Sequence, residues 1–393
     1  MIPWSGVLVL CSMAAAPVSP EIRAAKVRAG YEVTVAVAEL REARFMEIDS
    51  EGVLYVTRPR AGDIICLRDK DGDGVYETRA TFVEDMRSVH GIDLHDGWVW
   101  FSTTGSILRA RDTDGDGVAD EREEVIGSGT LPAGGGHWWR SLLVTDDAIF
   151  TSIGDAGNIT DQRETDRQKV WRFGIDGKDG EVFSTGIRNT EKLRLRPGTD
   201  EVWGFDHGSD WFGAEVGDGR RDQPITDLNP PDELNLYREG AFYGHPFVVG
   251  DRLPRYEFLE RDDIHELARQ TVPPEWKIGA HWATNGWCFI EGREGAGAMP
   301  SDHEGDIFVA CHGSWNSSVP VGYCVARVLF DDGKPYGLLK IVDGAGDGTA
   351  QPVMRPVDCV EAPDGSILFS DDSNNRVYRI RWVGQGDAGD GGE

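Results

Sequence analysis

Positive charge is scarce in this chain. Lys and Arg number 40 against 68 Asp and Glu, a net charge of −28 over 393 residues. A field of that sign repels phosphate backbones and anionic lipid, so nucleic acid is excluded as a partner, while bound cations suit it. Long hydrophobic runs are scarce as well. No window reaches the roughly 18 apolar residues of a membrane span, so none is expected in the mature chain. Cysteine is sparse at six, and no pair is spaced CxxC or CxxCH, which excludes zinc ribbons and c-type haem. Cys311 and Cys324 are placed to pair across a hairpin, but the connectivity stays open. Charge is absent from residues 1–20, where the apolar stretch from Trp4 to Ala16 ends in Ala14-Ala15-Ala16. That reads as a signal peptide over 1–16, with a periplasmic or secreted destination; Cys11 would leave with it.

What is abundant points to β structure. There are 50 Gly, 13 Trp and 9% aromatic residues, a composition that suits turn-rich sheets. One pattern recurs: an apolar alternating segment, a tight acidic turn, then an aromatic or β-branched run. It occurs as Phe45–Ile48, Glu51-Gly52, Val53–Val56, and as Ile92–His95, Asp96-Gly97, Trp98–Phe101. It returns around Asp146-Asp147, Thr199-Asp200, Glu304-Gly305 and Asp364-Gly365. The turns fall about 45 to 60 residues apart with one longer gap, the mark of a propeller whose blades cover each other's faces. The expectation is an all-β, six-bladed β-propeller over 30–383. Tyr31–Val37 would complete the last blade, the long gap at 204–283 would be an insertion, and 384–393 a disordered tail.

Two loops carry metal-ligand spacing. Asp112, Asp114, Asp116, Asp120 and Glu123 fit the twelve-residue calcium pattern D-x-D-x-D-G-x5-E. Asp69, Asp71, Asp73 and Glu77 repeat its start, with Ala80 in twelfth place. Carboxylates that close repel without a cation, so structural calcium is expected at both.

A further set of segments resembles the glucose/sorbosone dehydrogenases. They are Gly134-Gly135-Gly136-His137, Ser152–Asn158, Ser184–Asn189, Val202–Gly208, Asp232–Asn235, Tyr243–Pro246, His312–Asn316, Arg355–Asp358 and Asp371-Asp372. They fall in family order across about 30–382, closest to the sorbosone-dehydrogenase branch. The resemblance implies a six-bladed propeller that uses pyrroloquinoline quinone (PQQ) and calcium. His137 would be the general base for a sugar or aldehyde substrate, with hydride passing to PQQ and electrons to an external acceptor. Arg188, Asn189, His207, His312 and Arg355 would meet the cofactor, and Trp315 would stack on the sugar. The backbone of Gly208 and Ser209 would ligate the catalytic calcium, and Asp232-Glu233 would lie near a further one. Three departures stand out: a family Lys is replaced near His312, Val357 stands where the family has an Arg, and Ser209 where it has a Pro. Two other readings stay open. One is a calcium-dependent lactonase-like hydrolase using Asp155, Asp206 and Asp232. The other is a propeller that binds carbohydrate or protein without catalysis.

Overall fold

The computed structural model describes residues 19–217, 220–346 and 351–384. The expected signal peptide, Cys11 and all of the expected tail but residue 384 lie outside the described residues.

Six antiparallel sheets of four blade strands follow one another along the chain. Blade 1 is Met46–Ile48, Leu54–Arg58, Asp63–Arg68 and Thr78–Val83. Blade 2 is Ile92–His95, Trp98–Ser102, Ile107–Arg111 and Glu121–Ile126. Blade 3 is Leu143–Val144, Ala148–Ile153, Lys169–Gly174 and Glu181–Thr185; blade 4 is Thr190–Leu195, Val202–Asp206, Pro231–Tyr237 and Trp276–Ala280. Blade 5 is Thr284–Phe289, Ile307–Cys311, Cys324–Asp331 and Lys334–Asp343. Blade 6 takes Pro356–Glu361, Ile367–Asp371 and Arg376–Trp382, and is completed by Tyr31–Val37, whose Tyr31 registers with Trp382. The first strand of each blade packs on the first strand of the next, round the ring and back to blade 1. Closure leaves few open sheet edges.

One expectation changes. Residues 204–283 are not a single insertion, because Pro231–Tyr237 and Trp276–Ala280 are blade strands. Two excursions, 207–230 and 238–275, flank the third strand of blade 4. That strand opens Pro-Asp-Glu, and its buried Asp232 and Glu233 accept backbone N–H groups. Its polar start conceals the strand from a hydrophobicity pattern. Cys66, Cys288, Cys311, Cys324 and Cys359 are buried free thiols; Cys311 and Cys324 face each other in register without a bond.

The antiparallel order separates two kinds of loop. Loops between second and third strands, and those between blades, lie at one end of the ring. Hairpins between first and second strands, and between third and fourth, lie at the other. The innermost strands close the axis between the two ends with a charged network. Lys192 Nζ donates to both Asp358 oxygens at 2.8 Å and lies 3.4 Å from Glu47. Arg194 pairs with Glu47 and lies 3.4 Å from Asp93. Blades 1, 2, 4 and 6 are tied across the axis in this way.

Candidate active site

Above that network, at the end of the inter-blade loops, lies a cavity of about 550 Å³, a volume suited to a small molecule. His137, Arg188, His207, Gly208, His312, Trp315 and Arg355 all line it. The structure therefore gathers residues spread over more than half of the chain. Asn189 and Ser209 stand behind the wall. Asn189 donates its amide to Glu191 (3.1 Å) and meets His207 Nδ1 (3.1 Å). Ser209 is buried, with its hydroxyl donating to Trp211 O (3.1 Å) and accepting from Arg255 (2.6 Å).

His137 is anchored on one side only. Its Nδ1–H donates to the Asp155 carbonyl at 2.7 Å, which leaves Nε2 as a lone pair on the cavity side. Burial, followed by the charge of Arg188, pushes its pKa down to about 3. The ring is thus neutral at working pH, the form a base requires. The other cavity histidines spend Nε2 on protein acceptors: His207 on Thr284 O (2.9 Å), His281 on Thr226 O (2.6 Å) and His312 on Asp372 (3.0 Å).

Four guanidinium groups, of Arg44, Arg60, Arg188 and Arg355, line the same cavity as His137, in a protein short of cations. Arg188 donates to Asn158 O (3.0 Å) and Oδ1 (2.8 Å) and lies 3.4 Å from Asp210. Arg44 reaches Asp372 (3.0 Å) and Glu191 (3.4 Å) and lies 4.9 Å over the Trp139 ring. Burial would raise the carboxyls of Glu191 and Asp372, but their neighbours hold both below the usual range. His90, His207 and Arg44 act on Glu191, and His312, Arg44 and Arg355 on Asp372. Arg60 and Arg355 are exposed at the cavity, with no carboxylate partner among the described residues. Val357 is buried in the core beside Phe45, so a cation there would not face the cavity.

Sequence reasoning missed Arg44, Arg60, Glu191 and Asp210. A positional signal existed for Arg44. It stands just before the first strand of blade 1, as Arg188 and Arg355 stand before the first strands of blades 4 and 6. Trp315 is 71% exposed at the rim, edge-on to Trp211 at 6.0 Å.

The two acidic loops lie at the opposite end of the ring, as third-to-fourth-strand hairpins. Carboxylate oxygens of Asp69, Asp71, Asp73 and Glu77 converge within 4.8 Å of one another, as do those of Asp112, Asp114 and Asp116. Asp120 and Glu123 do not join the second group. Asp120 accepts Thr113 N–H and Oγ1–H at 2.7 Å. Glu123 lies in the outer strand of blade 2, opposite Arg109, and binds its guanidinium at 2.6 Å. Strand pairing, where a calcium-binding helix would otherwise begin, turns this side chain away. Each loop straps its blade to the one before: Tyr76 N–H donates to Ala36 O and Ala119 N–H to Phe82 O, both at 2.9 Å.

Asp155, Asp206 and Asp232 do not form a joint metal cluster among the described residues. Each carboxylate is spent on backbone N–H groups: Gly157 and Thr160 for Asp155, Arg188 and Asn189 for Asp206, Gly208 and Thr284 for Asp232. The hydrolase arrangement is therefore not built.

A family model described as TrAA12-like matches residues 25–382, and the chain belongs to that family. It is 22% identical to the pyrroloquinoline quinone-dependent pyranose dehydrogenase of Coprinopsis cinerea, over 90% of this chain and 54% of the relative. The chain spans about half the length of the curated relatives it matches. Among solved structures it resembles the calcium structure of the Trichoderma reesei carbohydrate-active enzyme of family AA12, with TM-score 0.78 and 19% identity, covering 94% of this chain and 100% of that one. It also resembles the holo form of the Coprinopsis cinerea pyranose dehydrogenase PQQ domain, with TM-score 0.76 and 18% identity, covering 91% and 97%. At these identities the likeness is one of fold. No helix among the described residues is long and apolar enough to cross a membrane.

Proposed function

We propose that this TrAA12-like propeller is an exported, PQQ- and calcium-dependent oxidoreductase acting on a sugar or aldose-like alcohol or aldehyde. One observation carries the reading: a neutral imidazole, with its free nitrogen toward a small-molecule cavity, sits among four guanidinium groups. The printed names of the relatives, a pyranose dehydrogenase and its PQQ domain, point the same way.

The residues present fit a polycarboxylate cofactor. Arg60 and Arg355 have no carboxylate partner among the described residues, and Arg44 Nε is buried without an acceptor. They also fit a hard cation. Gly208 brings its backbone against the carbonyls of Pro230 and Pro231, which a Cβ there would meet at 2.7 and 2.9 Å. Oxygen-rich surroundings of this kind suit calcium. Arg188, Arg355, Arg60 and Arg44 would hold the cofactor, and the Gly208–Ser209 backbone the ion. When bound, the quinone supplies a two-electron acceptor and calcium a Lewis acid. His137 takes the substrate hydroxyl proton at Nε2. The bond to Asp155 O keeps Nδ1 protonated, so the lone pair stays on the cavity side. Trp315 offers an apolar face to the sugar ring. An external electron acceptor would complete the reaction.

The reading is tested by titrating PQQ into calcium-loaded protein and following fluorescence quenching. Arg188→Ala should weaken binding at least about tenfold, the loss expected for a hydrogen bond to a charged group. Absence of saturable binding to the unmodified protein contradicts it.

The pH profile gives a second check. The basic form of a histidine at the ordinary value near 6.5 falls about twenty-five-fold between pH 7 and pH 5. With His137 held at about 3, the basic form persists across that window and is lost only as pH falls toward the folded value. The expected kcat/KM therefore changes less than about threefold from pH 7 to 5. A fall in proportion to an ordinary histidine overturns the assignment.

The same reading places structural calcium at the two acidic loops. A ligand bound only by the folded state stabilises it by about 2.7 kcal/mol at a hundredfold excess over Kd. Calorimetry should show the melting midpoint rising with calcium and falling with chelator, and Asp71→Asn with Asp114→Asn should remove most of that response. An unchanged midpoint counts against both loops.

A further inference from the structure

The base His137 depends on a single peptide carbonyl, and that carbonyl belongs to a residue with its own supports. Asp155 is fully buried, and its N–H donates to Arg188 O at 2.9 Å, so it joins the base to the neighbouring guanidinium residue. The approach is close: a Cβ on Gly154 would lie 2.5 Å from Arg188 O and 3.0 Å from His137 Cβ. The Asp155 carboxylate accepts Gly157 N–H (2.7 Å), Thr160 N–H (2.9 Å) and Gln168 Nε2–H (3.1 Å). These three donors come from its own loop and move with it.

The fourth donor does not. His245 Nε2 lies 2.8 Å from Asp155 Oδ2, across 90 residues of chain. It belongs to the excursion at 238–275, is 6% exposed, and donates its backbone N–H to Gly186 O at 2.9 Å. Burial pushes the His245 pKa down, which leaves a neutral ring whose Nε2–H donates. Burial would raise Asp155, but His245 and the backbone donors hold it down at about 2, so the acceptor is a carboxylate.

We propose that His245 is a positioning residue: its bond to the Asp155 carboxylate fixes the loop whose carbonyl locks His137 in the Nδ1–H tautomer. Carboxylate and carbonyl are on one residue, so restraining the first restrains the second. Misplacing a reacting group by about 1 Å can cost on the order of a hundredfold in rate. Only the kinetic consequence rests on the dehydrogenase reading. The geometry stands without it.

Two substitutions separate the roles. His245→Phe keeps the ring volume and removes the donor. His245→Gln offers an amide N–H of similar reach. Side-chain ¹⁵N NMR, with the His137 signal identified through His137→Ala, reads the tautomer directly. The unmodified protein and His245→Gln should hold His137 as a single Nδ1–H form, and His245→Phe should give a tautomer mixture. In turnover, His245→Phe should lower kcat about tenfold with KM within twofold, and His245→Gln should recover to within about threefold of the unmodified rate. A single Nδ1–H form in His245→Phe overturns the proposal, as does an unchanged kcat or an equal loss in both variants. Should His245→Phe not fold, His245→Asn, whose amide falls short of Asp155, takes its place. If the unmodified protein oxidises no sugar, the tautomer comparison still decides, so this failure and that of the dehydrogenase reading are told apart.

Discussion

Replacing His137 with alanine should lower turnover by on the order of 10²–10⁴, the contribution of a positioned general base, while leaving PQQ binding within about twofold. The expectation rests on the absence of an understudy. His207, His281 and His312 share the cavity, but each has committed Nε2 to a carbonyl or a carboxylate. Glu191 and Asp372 have both oxygens engaged, Glu191 by Asn189 and Arg44 and Asp372 by His312 and Arg44. Among the described cavity histidines, only His137 keeps Nε2 uncommitted. Arg188, by contrast, sits where binding is expected, so the two substitutions should separate turnover from affinity. Steady-state dye reduction on the PQQ-loaded variant checks this. Retention of more than about a tenth of kcat would mean that another group takes the proton.

The second large effect concerns stability rather than chemistry. Lys192→Met should destabilise the propeller by about 3–5 kcal/mol, the cost of stranding a buried charge. Lys192 is 3% exposed and Asp358 fully buried. Burial raises the Asp358 carboxyl, and the Lys192 ammonium opposes that rise. The pair spans blades 4 and 6, with Glu47 of blade 1 beside it, so its loss loosens the closed inner ring rather than one sheet. Asp358 also accepts the N–H groups of Met46 and Cys359 at 2.8 Å. The double variant Lys192→Met/Asp358→Asn removes the stranded charge and keeps an acceptor for one of these two N–H groups, so it should recover part of the loss. Denaturant unfolding of the three proteins measures both. A single variant within 1 kcal/mol of the unmodified chain contradicts the role given to the network.

These two cases mark where the sequence was legible and where it was not. The blades were legible because period-two alternation and acidic turns are local signals, repeated six times. His137 and Arg188 were legible as residues of one cavity because each stands in a short motif, Gly134–His137 and Ser184–Asn189. Pro231–Tyr237 escaped because its buried face begins with carboxylates that serve backbone N–H groups, so its hydrophobic pattern is broken. Glu123 was misplaced because the calcium-loop spacing assumes a helix where this fold runs a strand. Arg44 and Arg60 lie in loops without a motif. Lys192 and Asp358 are 166 residues apart, and nothing local marks either as the other's partner. Only ring closure brings them together. The family's missing cations, near His312 and at position 357, are a related case. Read along the chain they weaken the fit to a polycarboxylate, but in the folded ring Arg44 and Arg60 enter the same cavity from blade 1.

The most direct measurement is oxidation itself. The full chain, loaded with calcium and then with PQQ, is assayed with a dye acceptor against a panel of aldoses and aldehydes. The same protein without PQQ, and the PQQ-loaded His137→Ala variant, serve as controls. The account predicts dye reduction that requires PQQ, saturates with at least one sugar or aldehyde, and falls by on the order of 10²–10⁴ in the variant. Protein that binds PQQ yet reduces no dye with any member of the panel, or whose rate is unchanged by His137→Ala, would contradict it.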